Sequence, residues 1–249
     1  YTAGVLDFFI DKNIYFPYIY ATSAGACHAC SYISKQRGRA YAVMADYVDD
    51  KNYCGKYSLF TTGDIFNAKM CYDDIPNRLN PYDYDTANAY PGEFYAALTD
   101  CETGEVNYAR VKELRRDLTA VRASASMPLL SRRVMVNGRY YLDGGVADSI
   151  PLSGSLAHGH KKNVVVLTQA PGYEKQPNKY YKFVRMRYPN SKGLAQALKN
   201  RHIQYNATLD MIKKGVSDGS VFIIQPQTKP EVGNVEKDRA KLRALYERG

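Results

Sequence analysis

The chain lacks tryptophan, has only four histidines, and contains no uncharged apolar run of the length that crosses a bilayer. A membrane-spanning helix needs about 20 consecutive apolar residues, so the sequence predicts no transmembrane helix. Residues 1–10 have the periodicity of a helix instead of the charged and apolar regions of a secretory signal. We therefore expect the sequence to begin inside a folded domain. Whether a targeting segment lies further upstream is left open.

The five cysteines do not form the pattern of a disulfide framework or of a metal site. Their number is odd, and a chain of 249 residues is large enough to fold without disulfides. Cys27 and Cys30 have the spacing of a redox or zinc pair, but no second pair of Cys or His residues completes a ligand set. We expect reduced thiols that pack as small apolar side chains, no metal, no cofactor, and a cytoplasmic protein that can associate with membranes.

Acidic residues are in the minority, with 25 Asp and Glu against 34 Lys and Arg, and the net charge of +9 favours anionic partners. No zinc-finger spacing, RNA-binding motif or concentrated basic helix indicates nucleic acid, so no nucleic-acid partner is predicted. The scattered basic residues are typical of a solvated surface. Transient contact with an anionic membrane surface is the alternative interpretation, and no pattern predicts an oligomeric state.

Helical and strand periodicities alternate along the chain, which predicts an α/β fold: one domain over residues 1–249, with three α/β/α layers and a mostly parallel central sheet. Residues 51–91 break the alternation, and we interpret them as an insertion or cap that contains a helix at 63–72. Asn137 and Gly138 predict a type I′ hairpin turn. The apolar run at 163–168 is typical of a central strand buried on both faces. The other expected strands cover residues 18–22, 94–100, 106–109 and 221–225, and the other expected helices cover residues 24–36, 39–49, 111–124, 193–214 and 236–248.

Residues 18–26 (YIYATSAGA) predict a strand that runs into a turn of small residues, with Ser23 at its apex. Ala21, Ala24 and Gly25 lack bulky side chains, so the strand and the following helix can approach each other closely. Ser23 would then lie at a helix N-terminus, where free N–H groups and the helix dipole stabilise a developing oxyanion. Serine in such a turn is also common without a catalytic role, so this segment alone is weak evidence.

A second segment places Asp143 at the end of a predicted strand, followed by Gly144 and Gly145. Ligands bind at strand ends in open α/β sheets, and a carboxylate there is a candidate base for a serine nucleophile. The alternative is that Asp143 only bonds the backbone of its own turn. The order Ser23, Asp143 and then His158 or His160 also fits a Ser–His–Asp triad, although both histidines lie in a segment typical of a solvated turn.

Together these segments resemble the patatin-like phospholipases, whose nucleophile motif is Gly-x-Ser-x-Gly and whose second motif is Asp-Gly-Gly or Asp-Gly-Ala. Here the first motif is residues 21–25, where Ala21 replaces the first glycine and Thr22 precedes the serine. Residues 138–151 are similar to the second motif and its flanks, and residues 1–6 and 123–128 are similar to further segments of the family. The resemblance covers about residues 1–170 and is weaker over 171–249.

The resemblance implies a serine acyl hydrolase that cleaves lipid esters as phospholipases A or lysophospholipases do. Ser23 would be the nucleophile, Asp143 the general base, and the Ala24 amide an oxyanion donor. The family's Gly-Gly-Gly-x-Arg-Gly loop, which supplies further oxyanion donors, would precede Tyr1 and is not in this sequence. We therefore expect those donors to come from residues upstream of Tyr1. An alternative of a different class is a catalytically weak protein that binds lipid or membrane surfaces through its basic residues and 23 tyrosines.

Overall fold

A computed structural model describes residues 1–177, 179–233 and 235–249. The helices are α1 (Thr2–Asp11), α2 (Ala24–Ile33), α3 (Arg39–Asp46), α4 (Lys56–Thr62), α5 (Tyr84–Asn88), α6 (Leu114–Ser124), α7 (Leu152–Ala157), α8 (Tyr180–Arg187), α9 (Lys192–Ser217) and α10 (Arg239–Glu247), together with a π-helix at Met70–Leu79 and a 3₁₀ turn at Gly144–Val146. The strands are β1 (Tyr18–Thr22), β2 (Glu93–Asp100), β3 (Val106–Val111), β4 (Val134–Val136), β5 (Arg139–Asp143), β6 (Asn163–Val166) and β7 (Val221–Ile224).

The central sheet is built around β2, with β1 parallel to it and β3 and β5 antiparallel to it. β4 extends the sheet beyond β5, while β6 and β7 form a separate parallel pair. The expected α/β class, with helices flanking a central sheet, is confirmed. The expected parallel direction is found for the β1–β2 and β6–β7 pairs. The β2–β3, β2–β5 and β4–β5 pairs are antiparallel instead. Short connections after β2 and β4 reverse the chain, and only antiparallel strands can be joined so tightly.

The turn between β4 and β5 has the predicted backbone. Asn137 and Gly138 both have positive φ, at 48° and 81°. A type I′ turn requires positive φ at both central residues, so the hairpin prediction is confirmed. This turn directs β5 back toward β2 and thereby sets the position of the residue that ends β5.

Alternate residues of β2 face two different helical layers. Phe94 and Ala96 are buried against α1, α2 and α6 in the largest apolar cluster. On the other face, Thr99 donates its hydroxyl proton to the carbonyl of Asp143 at 2.8 Å, and α9 covers the turn that follows. Within the described residues, no helix combines the length and apolar character that crossing a bilayer requires.

The expected helix at 63–72 is wrong. Gly63 adopts a left-handed conformation with φ of 80° and ends α4, and the next helix begins only at Met70. A residue with positive φ terminates a right-handed helix, and glycine adopts this conformation without strain. Residues 51–91 therefore contain α4, the π-helix and α5, with α4 ending at Gly63. Their interpretation as an insertion or cap stays a prediction.

β6 is not the central strand that its apolar run suggested. It pairs with β7 alone among the described residues, and Val164 is 40% exposed while Phe222 on β7 is 66% exposed. An uninterrupted apolar run records side-chain preference for a sheet but carries no information on the number of neighbouring strands. α8 was not predicted at all, because its apolar and basic residues mix over only two turns.

Candidate active site

The ends of β1 and β5 meet on one edge of β2. Thr22, the last residue of β1, pairs with Ala97, and Asp143, the last residue of β5, pairs with Leu98. β3 occupies the opposite edge of β2 over this stretch, so β1 and β5 share the remaining edge and approach each other from opposite directions. The register of three strands thus brings Ser23, the residue after Thr22, next to Asp143.

Ser23 lies in a sharp turn between β1 and α2. Its backbone has φ of 56° and ψ of −128°, which is unusual for a residue with a side chain. Such strained conformations cost about 1–3 kcal/mol and cluster at functional sites. A serine on a strained strand-to-helix turn presents its hydroxyl to a cleft, as the small-residue turn predicted.

The first turn of α2 leaves donors free beside this hydroxyl. The backbone amides of Ala24 and Gly25 donate to no other described residue, whereas the Ala26 amide donates to the Ser23 carbonyl at 2.9 Å. The first N–H groups of a helix lack intrahelical partners and carry its positive partial charge. The environment of Ser23 therefore suits a negative charge that develops on a substrate oxygen.

The hydroxyl of Ser23 donates to Asp143 Oδ2 at 2.6 Å. The other carboxylate oxygen, Oδ1, accepts from the Gly145 amide at 2.8 Å, so the turn and the serine each hold one oxygen. Asp143 is only 7% exposed, and this burial raises the pKa of its carboxyl above the ordinary value. Hydrogen bonds from Ser23 and Gly145, together with the Arg201 guanidinium, oppose that shift. The result is a buried carboxylate that is a stronger base than an exposed aspartate.

Two serines at and just after the end of α6 hold both parts of the site, and no pattern in the sequence assigned them a role. Ser124 is fully buried and accepts a hydrogen bond from the Ser23 amide at 2.9 Å. The carbonyl of Ser126 accepts from the Asp143 amide at 2.7 Å. Residues 123–128 resemble a segment of the family, but that resemblance did not predict the contacts of Ser124 and Ser126 with Ser23 and Asp143.

Close approach of other atoms requires glycine at position 144 and leaves little room for a side chain at Gly145. A Cβ at Gly144 would lie 2.0 Å from the Ala97 carbonyl oxygen. A Cβ at Gly145 would lie 3.0 Å from Asp143 Oδ1 and 3.3 Å from Arg201 Nη2. Any larger residue at Gly144 would push the Asp143 turn away from β2.

Arg201 joins this turn from α9, far along the chain. Its Nε donates to the Gly145 carbonyl and, at 3.2 Å, to the hydroxyl of Ser149. Ser149 donates in turn to the same Gly145 carbonyl at 2.7 Å. The sequence gave no signal for this contact, because Arg201 lies in the middle of a helix that carries several basic residues.

Both histidines of the triad alternative are engaged elsewhere. His158 Nδ1 lies 2.8 Å from the Tyr20 hydroxyl and 2.9 Å from the Gly154 carbonyl oxygen. His160 stacks on Tyr18 with the ring centroids 3.9 Å apart. Among the described residues, the Ser23 hydroxyl bonds to Asp143 and to no histidine.

The Cys27–Cys30 pair packs as expected from small apolar residues. Cys30 is fully buried in the main cluster, and its thiol donates to the Ala26 carbonyl at 3.3 Å. Cys27 lies 3.7 Å from the Tyr72 hydroxyl. In residues 1–177, 179–233 and 235–249, no group of three His, Cys, Asp or Glu side chains is arranged to hold a metal ion.

A cavity of about 1410 Å³ opens beside Ser23 and Asp143. Ser23, Cys27 and Ser31 line it at four-residue spacing, so one face of α2 forms part of its wall. β1 and β6 border another part, and tyrosines of residues 51–91 border a third. Pockets for drug-sized ligands measure about 300–1,000 Å³, so this cavity has room for a larger molecule with a long chain.

Comparison with known proteins divides the chain into two matched segments. Residues 1–155 match the family model described as patatin-like phospholipase, and residues 191–249 match a domain of unknown function, DUF6363. The chain is also 25% identical over 232 residues to the uncharacterized protein YjjU of Escherichia coli (strain K12). This similarity covers 91% of the chain and 64% of YjjU, so the chain spans less than two thirds of the length of that relative.

Proposed function

This chain belongs to the patatin-like phospholipase family, and on that premise we propose that it is a serine esterase that cleaves carboxylic esters of lipids through Ser23 and Asp143. The observation that carries the proposal is the 2.6 Å hydrogen bond from the Ser23 hydroxyl to Asp143 Oδ2. A nucleophile within hydrogen-bond reach of a base is the arrangement that covalent catalysis needs. Phospholipase A or lysophospholipase activity is the form of this reaction that we favour.

The first step is acylation of the serine. The Ser23 Oγ attacks the ester carbonyl carbon while Asp143 takes the hydroxyl proton. When the tetrahedral intermediate collapses, the carbon–oxygen bond to the alcohol breaks and the proton passes from Asp143 to that leaving oxygen. The alcohol departs and the acyl group stays on Ser23.

The second step is hydrolysis of the acyl-enzyme. Asp143 takes a proton from a water molecule, the hydroxide attacks the acyl carbonyl, and the proton returns to Ser23 Oγ as the fatty acid leaves. The amides of Ala24 and Gly25 would donate to the oxyanion in both steps. Each such donor contributes about 10²–10³-fold to turnover in a serine hydrolase.

The cavity supports a lipid substrate. Its wall along α2 and residues 51–91 carries mostly aromatic and small side chains, which suits an acyl chain. We propose that residues 51–91 act as a cap over that chain. Exposed apolar side chains such as Phe60, at 87% exposure, and the net charge of +9 support transient contact with an anionic membrane surface.

Covalent labelling tests the proposed nucleophile. We expect a fluorophosphonate probe to modify the wild-type chain at Ser23, and Ser23→Ala to abolish both labelling and hydrolysis of short-chain esters. Ser217→Ala is the matched control, because Ser217 is exposed at the end of α9. Asp143→Asn should likewise abolish hydrolysis, whereas the exposed Asp210→Asn should not.

The same experiment distinguishes the alternatives. Full labelling and hydrolysis in the Ser23→Ala variant would refute the proposal. A folded wild-type chain that binds lipid vesicles but neither reacts with the probe nor hydrolyses esters would favour the lipid-binding alternative.

A further inference from the structure

Six Lys and Arg side chains line the cavity beside Ser23 and Asp143, and two of these six are half-buried. They are Arg201 on α9 and Lys175 in the segment before α8. Both are half-buried, and neither takes part in any of the ion pairs that the described residues form. The charge of Arg201 acts on the Asp143 carboxylate, but the two side chains form no ion pair. Partial burial weakens the hydration of both cations, so an anionic ligand in the cavity would stabilise them.

The Arg201 guanidinium faces the candidate dyad. Its Nε is held by the Gly145 carbonyl and the Ser149 hydroxyl, which fixes the plane of the group. Its Nη2 lies 3.3 Å from the point where a Gly145 Cβ would stand, and Asp143 Oδ1 lies 3.0 Å from that same point. The Nη1 and Nη2 groups donate to no described residue, so their protons are available to a ligand in the cavity.

Lys175 is positioned by contacts of its backbone and its side chain with α9. Its amide donates to Asn206 Oδ1 at 2.9 Å, and its carbonyl accepts from Asn206 Nδ2 at 3.1 Å. Its Nζ lies 4.6 Å from the ring centroid of Tyr205. Burial, and second the charge of Arg201, lower the pKa of Lys175 to about 8. Tyr205 lies about one helical turn after Arg201 on α9, so the contact of Lys175 with Tyr205 brings the two cations near each other along that helix.

The chemistry of this pair fits a phosphate group. A guanidinium whose Nη1 and Nη2 groups are both free can donate to two oxygens of a tetrahedral oxyanion at once, and an ammonium contributes a compact second charge. In a glycerophospholipid the phosphate is joined to the same glycerol as the ester, so it stays near the scissile bond. We propose that Arg201 and Lys175 bind the phosphate of a glycerophospholipid whose ester carbonyl lies at Ser23. This proposal rests on the proposed esterase function.

This subsite gives the C-terminal segment a role. Arg201 lies within residues 191–249, which match a domain of unknown function, and outside the segment that matches the patatin-like family. Residues 191–249 would thus select the substrate, while residues 1–155 would perform the reaction on it.

Matched substrates test the subsite in the full chain. We would measure kcat/KM for a monoacylglycerol and for the glycerol phosphate ester with the same acyl chain, both below their aggregation concentrations. Wild type should prefer the phosphate ester. Lys175→Gln and Arg201→Gln should each lower the ratio of the two kcat/KM values about ten- to hundredfold, the size expected for one charge-assisted hydrogen bond. Arg201→Lys should recover part of the ratio.

Lys213→Gln is the control, since it removes one positive charge from the same helix at an exposed site paired with Asp210. This variant should keep the wild-type ratio. An unchanged ratio in both Lys175→Gln and Arg201→Gln would overturn the phosphate subsite, even if Ser23→Ala abolished hydrolysis.

Inorganic phosphate provides a readout that does not depend on hydrolysis. It should bind wild type, as detected by broadening of its ³¹P resonance, and bind Lys175→Gln at least tenfold more weakly. If wild type hydrolyses no ester, the proposed function fails while this measurement still decides the subsite. Equal phosphate binding by wild type and both variants would refute the subsite. Phosphate binding without a preference for the phosphorylated lipid would show that the site binds free phosphate instead of a lipid headgroup.

Discussion

The backbone amide of Ser23 donates to the fully buried hydroxyl of Ser124 at 2.9 Å. This bond joins the strained turn after β1 to the end of α6, two elements separated by 101 residues. The turn conformation of Ser23 is costly, so contacts from its surroundings must hold it in place. Ser124 is thus a positioning residue for the proposed nucleophile.

Replacement of Ser124 by alanine should therefore affect stability and activity together. The Ser23 amide would lose its partner, which costs about 1–3 kcal/mol in the free energy of unfolding. A displaced Ser23 hydroxyl should lower kcat for ester hydrolysis about ten- to hundredfold, with a smaller change in KM. Urea denaturation and steady-state kinetics measure the two effects.

Ser126→Ala is the matched control for this variant. The Ser126 hydroxyl donates to the Arg122 carbonyl in the last turn of α6, and the backbone carbonyl that holds Asp143 would remain. We expect kcat close to wild type. Equal losses of kcat in the Ser124 and Ser126 variants would contradict the positioning role.

Gly144→Ala should disrupt the fold locally around the Asp143 turn. The new Cβ would stand 2.0 Å from the backbone oxygen of Ala97, and a backbone atom of the central strand cannot move aside without breaking the sheet. We expect a loss on the order of 3 kcal/mol in the free energy of unfolding, measured by chemical denaturation.

Gly25→Ala provides the contrast. The nearest atom to its new Cβ is the Ala21 Cβ at 4.0 Å, which is an ordinary contact. Alanine is a better helix former than glycine by about 0.5–1 kcal/mol, so this variant should be as stable as wild type or more so. A denaturation midpoint of Gly144→Ala equal to that of Gly25→Ala would show that the Asp143 turn is not packed as described.

Local patterns in the sequence predicted the parts of the site that are local. The small residues around Ser23 and the Asn137–Gly138 turn depend on backbone preferences of a few neighbouring residues, and both segments have the predicted conformation. The order of Ser23 and Asp143 indicated that they belong together, and the structure places them in contact.

Contacts between distant elements were not predictable in the same way. Arg201 is 56 residues from Gly145, and nothing in the periodicity of α9 records which of its basic residues faces inward. The same limit explains β6, where an apolar run gave the strand but not its neighbours. Side-chain pattern encodes burial of a face, whereas strand order and helix rotation are decided by packing across the whole domain.

Removal of both candidate triad histidines should leave hydrolysis in place. In the His158→Ala, His160→Ala double variant, Ser23 keeps its bond to Asp143, because the imidazoles contact Tyr20, Gly154 and Tyr18 instead. We expect kcat/KM for a short-chain ester to stay within the same order of magnitude as wild type. Near-complete loss in a variant with a wild-type melting temperature would restore the Ser–His–Asp alternative.

The pH dependence of hydrolysis should report the Asp143 carboxyl. Burial raises its pKa above the ordinary value of 3.8, and only the ionised form accepts the Ser23 proton. The value of kcat/KM should therefore rise with pH through an apparent pKa above 3.8 and then level off. A profile that is already flat at pH 4, in a chain that remains folded there, would contradict the role of Asp143 as the base.

Asp143→Asn should separate stability from activity, and the sign of the effect follows from the same pKa. A carboxyl with a raised pKa in the folded chain binds its proton more tightly there than in the unfolded chain. Its contribution to stability is therefore greatest below pH 3.8 and is lost as the pH rises through the folded-state value. At neutral pH the wild-type chain keeps a buried charge that asparagine does not carry, so Asp143→Asn should have the higher free energy of unfolding and no hydrolytic activity. Urea denaturation of both proteins between pH 3 and pH 8 measures the difference in free energy of unfolding, which should shrink toward the acidic end. A variant less stable than wild type at pH 8 would mean that the interactions of Asp143 with Arg201 and Ser23 outweigh the cost of burying the carboxylate.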